Sequence, residues 1–274
     1  MTSQMEVLDV SKVYWDSEKV MSALQSITFG IERGQFVCIV GPSGCGKSTL
    51  LKIMAGLEKP SSGEVRFEGE PIIRPHNKIS MVFQSFALFP WRTILENAEF
   101  GLETQGWSRD KRREAALECL EMVGLAECQR MYPKQLSGGM KQRVGIARAL
   151  AVDPEIILMD EAFSAVDEFT AETLREEVVE VHLNTNKTFL LVTHNLPEAI
   201  ELADKIVVLS ARPGRVKDIL DVDLERPRDK TGSDFVSIHK NIFYLLKEEL
   251  ESSIVKHKIR CIHEFQRLHD MEGR

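Results

Sequence analysis

Five apolar residues, Phe36–Val40, run directly into Gly41-Pro42-Ser43-Gly44-Cys45-Gly46-Lys47-Ser48-Thr49, and helical spacing follows from Lys47 to Leu57. The loop meets G-x-x-x-x-G-K-[ST] in full, with the strand before it and the helix after it that such a loop requires. This order restricts the chain to an α/β fold whose first apolar strand lies buried in a parallel sheet. The glycines let the backbone curl until several N–H groups face one anion, and the helix N-terminus adds partial positive charge. All nine residues, Gly41 to Thr49, are therefore candidates for contact with a nucleotide. Lys47 would reach its β- and γ-phosphates, and Ser48 would hold Mg²⁺.

Further along, strand-like and helical stretches alternate. Strands are expected at Glu6–Tyr14, Ser26–Glu32, Glu64–Phe67 and Ile79–Phe83. From about 85 to 153 strand-like runs fade, and helices are expected at Arg109–Val123 and Gly139–Ala151, so this stretch reads as a helical insert. The core resumes with strand Ile156–Asp160, a helix near Thr170–Leu183, strand Thr188–Thr193, helix Pro197–Leu202 and strand Lys205–Ser210. Alternation of this kind gives a parallel sheet with helices on both faces. After Arg212-Pro213-Gly214 the core pattern fades. Glu225–Asp229 reads as a linker, and apolar residues from Phe235 to Ile254 at spacings of three and four mark an amphipathic helix.

Composition narrows the classes. At 274 residues with a net charge of -7, the chain lacks the basic excess of a general nucleic-acid binder. No apolar run approaches the roughly 18 residues of a membrane span. MTSQMEVLDV has neither a basic start nor an apolar core, so no secretory signal is expected. Five cysteines without a CxxC pair suggest neither a disulfide framework nor a zinc site, which fits a reducing cytoplasm.

Other residues stand where α/β proteins do chemistry. Asp160 ends a strand at the carboxyl edge of the sheet, where it would bind Mg²⁺ through water, and Glu161 is placed to polarise an attacking water. Ser137, Gly138 and Gly139 of Leu136–Met140 would open a helix with free N–H donors, either as a second anion site or as an ordinary serine cap. His194 ends the strand before it as Asp160 does. Gln84 occupies a similar position and could contact Mg²⁺ or the water. Tyr14 could stack on adenine. Taken singly, each of these three also has a plain structural reading.

Taken together and in order, the motifs resemble the ATP-binding cassette subunit of ABC transporters over roughly residues 6–250. The resemblance pairs Gly41–Thr49 with Walker A, Gln84 with the Q-loop, LSGGM (Leu136–Met140) with the signature, and Ile156–Asp160 plus Glu161 with Walker B. It pairs Ser164–Asp167 with the D-loop, His194 with the switch histidine and Tyr14 with the A-loop aromatic. It implies a P-loop NTPase (RecA-like) α/β core with an N-terminal antiparallel β subdomain and an inserted helical subdomain. The cassette would span 1–230 and a C-terminal helical extension 231–274.

Within the family, FPWRTILENAEFGLE, the Met140 variant of the signature and VVLSARPGRV leading to Arg226-Pro227-Arg228 resemble the nitrate/sulfonate/taurine import group. The group's DEPFGALD stands here as DEAFSAVD, so Ala162, Ser164 and Val166 alter the D-loop while Asp160, Glu161 and Asp167 remain. The resemblance implies ATP and Mg²⁺ as cofactors and a head-to-tail homodimer. In it Ser137, Gly138, Gly139 and Asp167 of one copy would contact the nucleotide held by the other. Glu161, His194 and Gln84 would be catalytic, with Ser48, Gln84 and Asp160 around the metal. It further implies an integral membrane permease, docked near Phe86, Phe89 and Trp91, and indirectly an extracytoplasmic solute-binding protein. The chain would sit peripherally on the cytoplasmic face of the inner membrane. A soluble ABC-type ATPase serving DNA repair or translation is the alternative. Against it stand the short span between Gln84 and Leu136, with no room for a long coiled coil, and the single cassette. A P-loop kinase would leave Leu136–Met140 and His194 unexplained.

Overall fold

The computed structural model describes residues 3–16 and 19–247. In chain order, β1 (Met5–Asp16), β2 (Lys19–Ile31) and β3 (Phe36–Val40) lead into α1 (Lys47–Met54). Then come β4 (Ser62–Phe67), β5 (Glu70–Pro71) and β6 (Ile79–Val82). Four helices follow without a strand: α2 (Ile94–Ala98), α3 (Phe100–Thr104), α4 (Arg109–Met122) and α5 (Gly138–Ala151). The remainder is β7 (Ile156–Asp160), α6 (Glu168–Thr185), β8 (Thr188–Thr193), α7 (Leu196–Leu202), β9 (Lys205–Leu209) and β10 (Val216–Asp221). Residues 233–247 are helical; the expected helix positions Leu250 and Ile254 lie outside the described residues.

Two sheets form. One is antiparallel, in the order β2-β1-β4-β5. The other runs β10-β9-β3-β8-β7-β6, parallel from β9 to β6, with β10 antiparallel at its edge. The strand that feeds the glycine loop is thus central, and β3, β7 and β8 are buried along their whole length. That burial on both faces is why these runs are continuously apolar rather than alternating.

Period-two geometry sorts their side chains between two cores. Val37, Ile39, Ile156, Leu158, Leu190 and Val192 join Leu50, Leu51 and Met54 of α1 and the inner face of the antiparallel sheet. Phe36, Cys38, Ile157, Met159, Phe189 and Leu191 point the other way, to α5, α6 and α7. The same second core takes in Ile94, Leu102, Leu120 and Val144 of the helical insert, and Phe235 and Ile242 of the last helix. That last helix is docked, since Lys217 on β10 also donates to its Leu245 carbonyl at 2.8 Å.

Three sequence expectations change. β2 begins at Lys19 rather than Ser26, with register shifts between β1 and β2 that blur its alternation. β10 was not expected: Val216–Asp221 is a half-exposed edge strand carrying two aspartates, which resembles a loop in one dimension. The Glu225–Asp229 segment is no slack linker. Arg226 donates to Leu202 O and pairs with Asp204 at 2.7 Å, while the buried Arg228 reaches Ala203 O at 2.6 Å and Leu224 O at 3.2 Å. Two guanidinium groups thereby take up carbonyls that the C-terminus of α7 leaves without helical partners.

One buried group gives stability a pH dependence. His182 on α6 lies at right angles to the stacked pair Phe36 and Phe189, with ring centroids 5.5 and 5.6 Å away, and its Nδ1 lies 3.0 Å from Lys187 O. Burial lowers its pKa. The unfolded chain therefore takes up the proton first, and stability present above about pH 6.5 is lost as the pH falls below that value. The urea midpoint should drop on acidification, and should drop less in His182→Gln. An equal drop in both would remove His182 as the cause.

Candidate active site

The glycine loop starts where β3 leaves the middle of the parallel sheet. Gly44 and Gly46 adopt φ of 77° and 102°. At Gly46 a Cβ would stand 2.7 Å from the Leu24 side chain and 2.9 Å from Ala23 O, so only glycine closes this turn. Cys45 N donates to Pro42 O at 3.2 Å and the Cys45 thiol is buried, while Ser43 and Gly44 are exposed at the rim. Buried Lys47 folds back over the loop and donates to Gly41 O at 2.8 Å and Pro42 O at 3.1 Å. Arg212 holds the outside of the turn by donating to Gly44 O at 3.1 Å.

Ser48 donates to Asp160 Oδ1 at 2.8 Å, which joins the start of α1 to the end of β7. Asp160 is buried, and burial raises its pKa; the neighbouring Glu161 charge adds to the rise and the Ser48 hydrogen bond opposes it. A hydroxyl and a charge-starved carboxylate side by side are two hard oxygen donors suited to Mg²⁺. Thr49 Oγ1 lies 3.4 Å from the Tyr14 hydroxyl, which donates to Glu58 at 2.6 Å. Tyr14 is therefore fixed beside the loop, with the Lys12 ammonium 5.1 Å from its ring centroid.

Glu161 gathers the second group. Its backbone has φ 46°, a left-handed conformation uncommon for a non-glycine residue, and its N–H donates to Val192 O at 2.9 Å. This turn at the end of β7 puts the side chain between two loops. Oε2 accepts from Gln84 Nε2 at 3.0 Å, and Oε1 lies 3.3 Å from His194 Nδ1. Ser164 donates to Glu161 O at 2.8 Å and sits 3.4 Å from Gln84 Nε2. Gln84, Glu161 and His194 thus converge, and Ser164 secures the turn.

Ser137, Gly138 and Gly139 stand apart from the loop. Ser137 caps α5 by accepting from Met140 N at 3.3 Å. The two glycines let α5 approach 165–170 closely: a Cβ at Gly139 would come within 2.4 Å of Thr170 Cγ2. Asp167 caps α6 through Thr170 N at 3.1 Å and Thr170 Oγ1 at 2.8 Å, and these bonds lower its pKa. Among the described residues no hydrogen bond joins 136–140 to 41–49.

Two organising residues were not foreseen. Arg148 of α5 donates to Ala87 O at 2.6 Å and Phe86 O at 3.0 Å, holding two consecutive residues with φ of 60° and 48° just beyond Gln84. Asn97 is fully buried, accepts from Phe89 N at 2.8 Å and donates to Thr93 O at 2.9 Å, so it ties down the Phe89–Thr93 turn. Phe89 packs on Phe100 and Trp91, and Trp91 is 72% exposed. The Thr93–Glu96 capping box could have flagged α2 in the sequence.

A sequence profile described as ABC transporter matches residues 24–164. The chain belongs to the ABC transporter family. This ABC ATPase is 44% identical over 254 residues to an uncharacterized ABC transporter ATP-binding protein of Methanocaldococcus jannaschii, covering 93% of this chain and 95% of the relative. It is 42% identical to the nitrate import ATP-binding protein NrtD of Synechocystis sp., over 83% of this chain and 87% of NrtD. It is likewise 42% identical to the aliphatic sulfonates import ATP-binding protein SsuB of Bacillus anthracis, over 85% and 92% of the two chains. Among solved structures, a dimeric post-hydrolysis state of the ATP-binding cassette MJ0796 bound to ADP and Pi superposes with a TM-score of 0.72 at 36% identity. That likeness covers 80% of this chain and 98% of the other. The chain is an ATP-binding subunit and an ATPase of the ABC transporter family, built on the P-loop α/β fold, and it resembles the nitrate/sulfonate import subunits. No helix among the described residues is long and apolar enough to cross a membrane.

Proposed function

We propose that this ABC ATPase powers an importer for nitrate, sulfonate or taurine-like solutes, and that two copies meet head to tail to complete its sites. The observation that carries the shared site is the separation of 136–140 from the glycine loop within one chain. Each copy holds a phosphate cradle and, elsewhere, a helix N-terminus with free donors, so a second copy is needed to bring the two together. Charge-assisted contacts from that helix end to the γ-phosphate, about 1.5–3 kcal/mol each, would favour the closed pair, and loss of the γ-phosphate would release it.

Loop N–H groups and Lys47 would bind the triphosphate, with the Lys47 ammonium exchanging two backbone carbonyls for phosphate oxygens. Ser48, Asp160 and Gln84 would hold Mg²⁺, which when bound offsets phosphate charge. Among the described residues no cluster of three or more His, Cys, Asp or Glu gathers for a metal ion, so its remaining ligands would be phosphate and water. Glu161 would take a proton from water as that oxygen bonds to the γ-phosphorus and the bond to the β-phosphate bridge breaks. Gln84 and His194 would hold the Glu161 carboxylate and contact the γ-phosphate. Exposed Trp91 beside Phe86 and Phe89 would meet a membrane permease. That contact would place the pair peripherally at the cytoplasmic face, with a solute-binding protein acting through the permease.

A mixing experiment tests the shared site. Lys47→Ala and Ser137→Arg should each be inactive alone. Mixed one to one they should recover up to about a quarter of wild-type turnover, because half of randomly formed pairs carry one intact site. Wild-type specific activity should also rise with protein concentration. A mixture as inactive as its components, with concentration-independent wild-type turnover, would sink the proposal.

A further inference from the structure

The N-terminus of α1 continues the glycine loop, and the C-terminus of the same helix fixes a carboxylate that the chemistry above does not use. Gly56 closes α1 at φ 70°, where a Cβ would stand 2.4 Å from Arg74 O. Past that turn Leu57 N and Glu58 N both donate to Lys52 O, at 2.9 and 3.2 Å, so the Glu58 backbone is tied to the helix. Its side chain, 22% exposed, turns to β1. There Glu58 Oε1 accepts from the Tyr14 hydroxyl at 2.6 Å and lies 3.0 Å from Lys12 Nζ. Lys12 also donates to Lys59 O at 2.7 Å, and Val13 N donates to Ser61 Oγ at 3.0 Å, so β1 is laced to the segment after α1 over several residues. Burial pushes the Glu58 carboxyl up, but Tyr14 and Lys12 more than offset this and hold it below its ordinary value. It is therefore ionised at neutral pH and only accepts. The one proton of the Tyr14 hydroxyl is thus committed to Glu58, and in any bond with Thr49 Oγ1, 3.4 Å away, Thr49 is the donor.

We propose that Glu58 is a positioning residue for the base of the nucleotide: set by the end of α1 and braced by Lys12, it holds the Tyr14 ring in a fixed place relative to the phosphate cradle. This rests on Tyr14 stacking on adenine. A hydrogen bond to an ionised acceptor is stronger than a neutral one, and here it acts at the far end of the ring, where it restrains the tilt of the whole aromatic plane. The cradle and the anchor belong to the two ends of one helix. The spacing between triphosphate and base is therefore built into α1, and a ligand gains from both only when its two parts match that spacing.

The test uses the full chain and two probes, ATP and inorganic triphosphate, titrated calorimetrically without Mg²⁺ so that nothing is hydrolysed. Tyr14→Ala should weaken ATP binding about tenfold, the scale of one stacked base. Glu58→Ala should weaken it about fourfold, and so should Tyr14→Phe, which keeps the ring and serves if Glu58→Ala folds poorly. Combining Tyr14→Phe with Glu58→Ala should weaken ATP no further than either change alone, because both remove the same bond. Glu58→Gln still accepts from Tyr14, so it should stay within about twofold of wild type. Triphosphate carries no base, and its Kd should move less than about twofold in all of these variants. Unchanged ATP binding in Glu58→Ala and Tyr14→Phe, with Tyr14→Ala weakened, would overturn the role of Glu58 and leave the stacking standing. Unchanged ATP binding in Tyr14→Ala would overturn the stacking and the proposal with it. Triphosphate weakened as much as ATP would show that Glu58 supports the glycine loop instead, and losses that add in the combined variant would show that it acts apart from Tyr14; either result overturns the proposal.

Discussion

Glu161→Gln is expected to lower ATP turnover by about 10²–10⁴-fold, the range for loss of a positioned general base, while nucleotide binding is retained. Glutamine keeps the shape of the side chain and can still accept from Gln84 Nε2, now at 3.0 Å from Glu161 Oε2. Of the groups assigned to phosphate and Mg²⁺, Lys47, Ser48 and Asp160 make no hydrogen bond to the Glu161 carboxylate among the described residues, and the bond from Gln84 is one that glutamine can still accept. The left-handed backbone at 161 costs glutamine no more than glutamate. What disappears is the capacity to take a proton from water. Phosphate release under single-turnover conditions and an ATP titration of the same preparation give both quantities. Turnover within tenfold of wild type would move the base elsewhere, and loss of binding would mean that the substitution disturbs the cradle.

Arg228→Ala is expected to destabilise the fold by about 3–5 kcal/mol, the cost of breaking a buried charged network. The Arg228 side chain is 1% exposed and donates to the carbonyls of Ile200, Ala203, Val222 and Leu224. Burial lowers its pKa to about 10, so it remains charged at neutral pH. Truncation leaves four carbonyls short of a donor, two of them at the end of α7. For a chain of this size the loss corresponds to a fall in Tm of about 10 °C. Lysine would not rescue it, because a single ammonium cannot span the fork that the guanidinium fills. A Tm within about two degrees of wild type would show that water or a neighbour, Arg226 above all, takes over the carbonyls.

Sequence and structure agree where a short stretch carries its own reason. The glycine loop needs nine consecutive residues to wrap one anion, and β3, β7 and β8 need only to be apolar and five or six residues long. Both are local demands, and both are visible in one dimension. Gln84, Glu161 and His194 could be marked singly as strand ends, but not as neighbours, because the register between β6, β7 and β8 decides which ends meet. The packing roles of Arg148 and Arg228 were missed for the same reason, although Arg228 was marked as part of a motif. Each is an ordinary arginine in the sequence, and its meaning lies in carbonyls 61 and 25 residues away. β10 was missed for another cause: among the described residues it pairs only with β9, so nothing requires it to be apolar on both faces.

The grip of Arg148 on the carbonyls of Phe86 and Ala87 has a mechanical consequence. It lies near the deep end of α5, among Ala147, Ala149 and Leu150, whereas the opposite end of that helix presents Ser137 and Gly138. Arg148 and Gly138 are ten residues apart, about 15 Å along the helix, so a tilt of about 5° at the anchored base moves the glycine tip by about 1.3 Å. A push on the turn beyond Gln84 would therefore be felt at the far tip of the helix.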